Sequence, residues 1–290
     1  MDSDLFEEKL TESIKRAVTS IARPTLEALK NASESETGNA KVQLEAMVKA
    51  VELGMRKKVP VCQDTGTPTF FVKVGKSFSS SDILCQIKES IKNSVERATD
   101  QVPLRPNTVH PISGENPGNN IGRHIPYIEW SICEGDAVDI FFLPKGGGSE
   151  NMSQLNMMSP GEGLAGVKNI VLERIASMGG KPCPPTIIGL GLGGGSNIAM
   201  NLAKEALLRP VGENHEEEDI SELERELKDS ANQLGVGPMG VGGKTTVLDV
   251  HVEYAYRHPA SYPVGIVVQC WANRRGFVTI HSDGSVEVKY

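Results

Sequence analysis

The residue pattern predicts a mixed α/β (α+β) fold in two lobes, with mixed sheets, N-terminal helices and glycine-rich turns. Three observations carry this expectation. The first 55 residues repeat apolar side chains at helical spacing. Further on, apolar runs of strand length at 138–143, 186–192 and 264–270 mix with helical stripes without strict alternation. Many of the 30 glycines are clustered, which means backbone packed closely against something.

In chain order, Leu5, Leu10, Ile14, Val18 and Ile21 form a first helical stripe. Pro24 starts a second helical segment, as proline does in a first turn. Val42, Met47, Val48 and Val51 continue the pattern, with Gly54 as its cap. Residues 69–74 read as a strand. Ser81 caps a helix carrying Ile83, Leu84, Ile87, Ile91 and Val95. Residues 101–126 are rich in Pro, Asn and Gly and form a long loop, a length usually tied to function or disorder. The strand at 138–143 runs into Lys145-Gly146-Gly147-Gly148-Ser149, and a helix follows that ends near Gly179-Gly180. Residues 186–192 form a strand, followed by a glycine-rich turn and a helix through Leu208. Residues 216–233 form a charged amphipathic helix with Ile220, Leu223, Leu227, Ala231 and Leu234 as its stripe, stopped by Gly235. Strands at 247–253 and 264–270 come next, and Ser282-Asp283-Gly284-Ser285 turns a hairpin between two short end strands.

Composition narrows the function. With 290 residues, 39% of them hydrophobic, the chain can bury a large core in one domain or two tightly packed lobes. No repeat or linker is visible, so residues 1–290 are expected to form a single domain with a helical segment at 1–55. The formal charge is −7, the pI is near 5.5, and no Lys/Arg block stands out, so neither nucleic acid nor an anionic membrane is the expected partner. No apolar run approaches the roughly 20 residues of a membrane span. The acidic N-terminus lacks a signal-peptide core, which makes the cytoplasm the expected compartment. Five cysteines in a chain this long do not make a disulfide scaffold, so reduced thiols are expected.

Two glycine runs imitate nucleotide motifs. Gly189-Leu190-Gly191-Leu192-Gly193-Gly194 formally matches the dinucleotide fingerprint after a strand and before a helix. That fingerprint wants an acidic residue about 20 positions on, at the end of a second strand. Leu208-Arg209-Pro210, ending a helix, stands there instead. Gly240-Val241-Gly242-Gly243-Lys244-Thr245-Thr246 resembles a P-loop, but the position required to be its first glycine is Pro238. Tight turns with close backbone packing explain both runs. The sharper reading is backbone N–H groups aimed at an anion.

The cysteines fall into two groups. Cys85, on a helix, and Cys133, in an apolar stretch after Trp130, are expected to fill core. Cys62, Cys183 and Cys270 lie at strand ends or in a proline-locked turn, where a thiolate can be presented rigidly. Three converging thiolates could hold an iron–sulfur cluster with one iron left open. Zinc would want a fourth ligand or an open water. The usual local cluster motif is absent, and buried core cysteine remains an alternative. Asp64, two residues after Cys62, is a candidate acid/base or a turn-capping side chain; in an extended segment the two would share a side. Arg105 is a candidate carboxylate grip or a solvated surface residue. His258, before Pro259, is a candidate proton carrier or a structural histidine.

Taken together, Cys62-Gln63-Asp64-Thr65-Gly66, Pro103-Leu104-Arg105-Pro106-Asn107, Lys145-Gly146-Gly147-Gly148-Ser149, Cys183-Pro184-Pro185, Arg257-His258-Pro259 and Gln269-Cys270-Trp271-Ala272 resemble the iron–sulfur hydro-lyases of the class I fumarase and L(+)-tartrate dehydratase family. The matching pieces span nearly the whole chain. The chain resembles the α subunit of the split members, since single-chain members continue past the position of Tyr290. The resemblance implies a cluster-binding domain in which Cys62, Cys183 and Cys270 hold a [4Fe–4S] cluster whose open iron takes the substrate's hydroxyl and a carboxylate oxygen. It further implies that Gln63, Asp64, Arg105 and the backbone of Gly147 contact a small dicarboxylate. Asp64 would deliver a proton to the leaving hydroxyl, with His258 orienting or relaying. The base on the neighbouring carbon, and further cationic contacts, would come from a β subunit in a hetero-oligomer.

Three functions follow as expectations. The first is hydration of fumarate to (S)-malate; the second is dehydration of L(+)-tartrate or hydration of a methylated relative, mesaconate. The third is a non-catalytic cluster protein that senses oxygen or iron. Lys145 to Asn151 and Ser261 to Gly265 favour the first. Asn273 stands where fumarases often carry Asp and tartrate enzymes His, which leaves the substrate open. Asp64, Arg105 and the glycine runs argue against a sensor, which needs no dicarboxylate site.

Overall fold

The computed structural model describes residues 2–78, 80–102 and 104–289. Pro103, the first residue of one family motif, and Tyr290 lie outside the described residues. The helices are α1 (Ser3–Thr19), α2 (Arg23–Ser35), α3 (Gly38–Lys57), α4 (Ser81–Gln101), α5 (Gly147–Glu150), α6 (Gly163–Met178), α7 (Ser196–Ala206) and α8 (Glu218–Gln233). The strands are β1 (Thr67–Gly75), β2 (Tyr127–Cys133), β3 (Val138–Lys145), β4 (Gln154–Met158), β5 (Thr186–Gly193), β6 (Val247–Ala255), β7 (Tyr262–Gln269), β8 (Gly276–Ile280) and β9 (Val286–Lys289). The mixed α/β expectation holds. The chain divides into two compact units, one of Met1–Ala22, Ala50–Gly146 and Arg274–Tyr290, the other of Arg23–Lys49 and Gly147–Asn273.

The first unit is built on a five-stranded sheet of order β2-β1-β3-β8-β9. β1 and β2 run parallel, and every other pair is antiparallel. α1 starts at Asp2, whose Oδ1 accepts from Asp4 N–H at 3.0 Å and Leu5 N–H at 3.2 Å. Its stripe Phe6, Leu10, Ile14 and Val18 joins Ile87, Ile91 and Val95 of α4 against Phe70, Val72, Ile140 and Val278 of the sheet. Their spacing of three and four residues puts them on one helical face. The cap of α4 is Ser80 rather than Ser81, with Ser80 Oγ accepting from Ile83 N–H. Gly54 lies inside α3 and does not cap it. A Cβ there would stand 2.8 Å from Thr19 O, so the residue is glycine because another backbone passes beside it.

The second unit carries a four-stranded sheet of order β4-β7-β5-β6, with β5 and β6 parallel. One face, through Ile188, Leu190, Val250, Val252, Ile266 and Val268, packs against Val167, Val171 and Ile175 of α6 and Leu223 and Leu227 of α8. Strand side chains alternate, so Gly189 and Gly191 of β5 face the other way. There α7 lies so close that a Cβ on Gly191 would stand 1.9 Å from Ala199 O, and one on Gly189 2.0 Å from Ala203 O. The fingerprint-like run is therefore a packing surface for α7. Val42 of α3 is exposed, against its expected place in the helical stripe. β4 was not anticipated. It is a short edge strand of mixed character, Gln154-Leu155-Asn156-Met157-Met158, with no clean alternation to betray it.

Candidate active site

In the first unit, the segment between α3 and β1 carries Cys62, Gln63 and Asp64. Val61 N–H donates to Val18 O at 2.9 Å, which fixes the approach to Cys62. The chain bends through residues 61–63, so the two-residue alternation of an extended segment does not relate Cys62 to Asp64. Gly66 follows at φ +85°, and a Cβ there would lie 2.5 Å from the carbonyl carbon of Pro144 in β3. Only glycine allows the turn to sit flat on that strand.

Asp64 is held at both ends. Its Oδ1 accepts from Gly66 N–H at 2.8 Å and from Asn107 Nδ2 at 3.4 Å. Its carbonyl accepts from Arg274 Nη1 at 2.5 Å. The turn-capping role is thus real, and it fixes the carboxylate that the resemblance assigns to proton transfer. Thr65 Oγ1 accepts from Arg105 N–H at 3.1 Å and from Asn107 Nδ2 at 3.2 Å. Asn120, with φ +61°, binds the same stretch from behind: its Oδ1 accepts from Asn107 N–H at 2.7 Å and its Nδ2 donates to Arg105 O at 3.1 Å. The start of the long loop is therefore pinned, while Arg105 and Gln63 point exposed side chains outward. Lys145, at the end of β3, is only 3% exposed.

In the second unit, Cys183 and Cys270 sit on neighbouring turns. Cys183 has φ +57°, its N–H donates to Gly180 O at 3.1 Å, and its carbonyl accepts from Trp271 N–H at 3.3 Å. Cys270 follows the last residue of β7, with Sγ 3.9 Å from Ala272 O. A main-chain hydrogen bond thus ties the two cysteine turns together. Gly147 is exposed and opens α5.

His258 is exposed on the turn after β6. Arg257 Nη1 donates to the carbonyls of His258, Pro259 and Ser261 at 3.2, 3.3 and 3.1 Å, and its guanidinium lies 4.6 Å over the Tyr262 ring. His258 Nδ1 accepts from Ala260 N–H at 3.1 Å. In the neutral ring the proton therefore belongs on Nε2.

Two expectations about cysteine fail. Cys85 and Cys133 do not fill core but are exposed. Cys85 lies off the Ile83–Ile87–Ile91 stripe of α4, and Cys133 ends the sheet's edge strand. Cys62, Cys183 and Cys270 are half-buried, in no disulfide, and lie on turns fixed by hydrogen bonds. Among the described residues no three His, Cys, Asp or Glu side chains gather as the shell of one metal ion. Thiol is the donor type that iron–sulfur clusters take from proteins.

Sequence reading overlooked Arg274 and Asn120. Arg274 is 1% exposed, yet in the run Asn273-Arg274-Arg275 nothing separates it from its half-buried neighbour. Asn120 had one signal: asparagine is among the few residues at ease with positive φ.

Among the described residues no helix is long and apolar enough to cross a membrane. The model of the family described as fumarate hydratase (fumerase) matches residues 7–279. A Methanocaldococcus jannaschii protein named "Putative L(+)-tartrate dehydratase subunit alpha" is 45% identical over 280 residues, 96% of this chain and 98% of that one. The Escherichia coli (strain K12) L(+)-tartrate dehydratase subunit alpha is 36% identical over 265 residues, 90% of this chain and 85% of that one. Matches of this extent and identity place the chain in the fumarate hydratase family, and it is a hydro-lyase.

Proposed function

We propose that the chain is the α subunit of an iron–sulfur hydro-lyase acting on a small hydroxy dicarboxylate, completed by a β subunit in a hetero-oligomer. The names of the two relatives support L(+)-tartrate as the substrate to try first. Hydration of fumarate to (S)-malate is the second reading, favoured by the family description and by the Lys145 to Asn151 segment. Mesaconate is a third candidate on the same chemistry.

The observation that carries the reading is the double anchoring of Asp64 beside Arg105. An Asp64 carboxyl group fixed through Gly66 N–H and Asn107, on a segment hydrogen-bonded to the backbone of Arg105, is positioned in its protonated form to pass that proton to the hydroxyl of a bound hydroxy acid. Cys62, Cys183 and Cys270 would hold a [4Fe–4S] cluster, which when bound supplies a Lewis acid for the departing hydroxide. Arg105 offers a two-pronged grip on a substrate carboxylate. Gln63 and the backbone at Gly147 complete the contacts from this chain. Asp64 gives the proton that leaves with the hydroxyl as water. His258, with Nδ1 occupied by Ala260 N–H, presents Nε2 for orientation or relay. The base that takes the proton from the adjacent carbon belongs to the β subunit.

Anaerobic reconstitution with a β partner, followed by turnover of L(+)-tartrate, (S)-malate, fumarate and mesaconate, tests this directly. One of these acids is expected to turn over, with Cys183→Ser losing the cluster absorbance and Cys85→Ser keeping it. A cluster-bearing complex inert to all four acids would overturn the catalytic reading in favour of the sensor. Full turnover by the α chain alone would overturn the assignment of the base to β.

A further inference from the structure

The P-loop-like run at residues 240–246 does cradle an anion, and that anion is part of the chain. Glu36, between α2 and α3, is 4% exposed. Its Oε1 accepts from Lys244 N–H and Thr245 N–H, both at 2.6 Å. Gly243, at φ +127°, leaves room for it: a Cβ there would lie 3.0 Å from Glu36 Oε2. The N–H groups that suggested a phosphate site are therefore already taken.

The loop is closed at its base and pressed onto the Cys183 turn at its tip. At the base, Gly242 N–H donates to Val236 O at 2.9 Å and Gly237 N–H to Thr246 Oγ1 at 3.1 Å. At the tip, Met239 N–H donates to Pro184 O at 2.8 Å. Beside it Gly240 is so near Gly180 that a Cβ would stand 2.7 Å from Gly180 Cα. Gly180 O is the acceptor of Cys183 N–H, and Pro184 is the next residue in the chain. One loop thus touches the turn on both sides of the cysteine, and Cys183 itself keeps the φ of +57° that L residues rarely adopt.

We infer that Glu36 is a positioning residue for Cys183, acting as a built-in counter-anion that sets the 235–246 loop against the cysteine turn. The link to catalysis rests on the proposed cluster ligation; the link from Glu36 to the turn does not. A buried carboxylate accepting two backbone N–H groups makes strong charge-assisted bonds, and its removal strands both donors. The loop must then rearrange to find other partners, and the Cys183 turn loses its backing.

Glu36→Ala and Glu36→Gln in the full chain test this, with Glu34→Ala on the exposed side of α2 as control. The first readout is iodoacetamide alkylation in the cluster-free protein, followed by peptide mass. Glu36→Ala is expected to change the Cys183 rate about fivefold or more, the worth of roughly one buried hydrogen bond, with Cys85 unchanged. Added formate, a carboxylate small enough for the vacated space, is expected to restore it. Gln, which keeps an acceptor oxygen, is expected to stay near the parent. An unchanged Cys183 rate, or an equal change at Cys85, would overturn the inference. If Glu36→Ala yields no folded protein, Glu36→Asp, which withdraws the carboxylate by one methylene, is read against the same outcomes.

The second readout is the visible absorbance of the cluster in the reconstituted αβ complex and its loss to a chelator. Loss is expected to quicken in Glu36→Ala and to be slowed again by formate. If Cys183→Ser keeps the cluster, the ligand assignment fails while the alkylation result still decides the role of Glu36. If Cys183→Ser loses it and Glu36→Ala alters neither readout, this inference alone fails.

Discussion

Arg274 Nη1 donates to the carbonyl of Asp64 at 2.5 Å, so a buried guanidinium holds the backbone of the proposed proton donor. The two residues are 210 positions apart in the chain. Gly146 lies beside both: a Cβ built there would sit 3.2 Å from Asp64 Oδ2 and 3.5 Å from Arg274 Nη2.

Arg274→Met is expected to lower kcat by about a hundredfold, the usual cost of a misplacement near 1 Å in a reacting group. Its KM is expected to change little, because Arg105 remains. Stability is expected to hold, since methionine also relieves the burial of a charge. Steady-state kinetics of the αβ enzyme beside a thermal melt separates the two effects; a parent-like kcat would remove Arg274 from the positioning of Asp64.

Asn120→Gly keeps the positive φ and deletes the amide. Asn107 N–H, Thr99 Oγ1 and Arg105 O each lose a partner, so a loss of about 1–3 kcal/mol is expected. Asn120→Ala adds the strain of a Cβ at φ +61°, a further ~1 kcal/mol. Urea denaturation should order the three proteins as parent, glycine, alanine.

Gly191→Ala would place a methyl 1.9 Å from Ala199 O in a strand that cannot give way. A loss beyond about 4 kcal/mol is expected, enough to abolish accumulation of folded protein. Gly212→Ala, at φ +89° with open space around it, is expected to cost only ~1 kcal/mol. Soluble yield and chemical melts distinguish a steric cause from a conformational one.

In the β8–β9 hairpin, Asp283 Oδ1 accepts from the Ser285 hydroxyl at 2.6 Å and Ser285 N–H at 2.8 Å. These bonds, the hydroxyl first, hold its pKa below the ordinary 3.8. A depressed folded value means the hairpin's gain is complete above 3.8 and fades as pH falls through the lower folded value. Ser285→Ala is expected to move the carboxyl titration, followed by NMR, back toward 3.8.

Much of this architecture was legible because helical stripes and apolar strands announce themselves locally. Leu10–Ile14–Val18 and Ile87–Ile91–Val95 became core faces as their spacing required. The failures share a cause: they depend on what the chain meets elsewhere. Gly54 reads as a stop signal, but the carbonyl of Thr19 is what requires it. Cys85 and Cys133 read as core by residue type, while their places on a helix flank and a sheet edge leave them outside. In the candidate site, Asp64, Arg105 and the three cysteines could be singled out from the motifs around them. Arg274, Asn120 and Glu36 could not, since each works through a bond to backbone from 13 to 210 positions away.

The first unit's sheet bears on the order of assembly on the ribosome. β1 is translated early, yet its neighbour β3 finds its other partner, β8, only after residues 276–280 emerge. The intervening 147–273 stretch, with all four strands of the other sheet, is synthesised first. All four strands of the later-encoded sheet are thus available while the earlier one still lacks β8 and β9, which opens a route that reverses the N-terminal-first sequence usual for multidomain proteins.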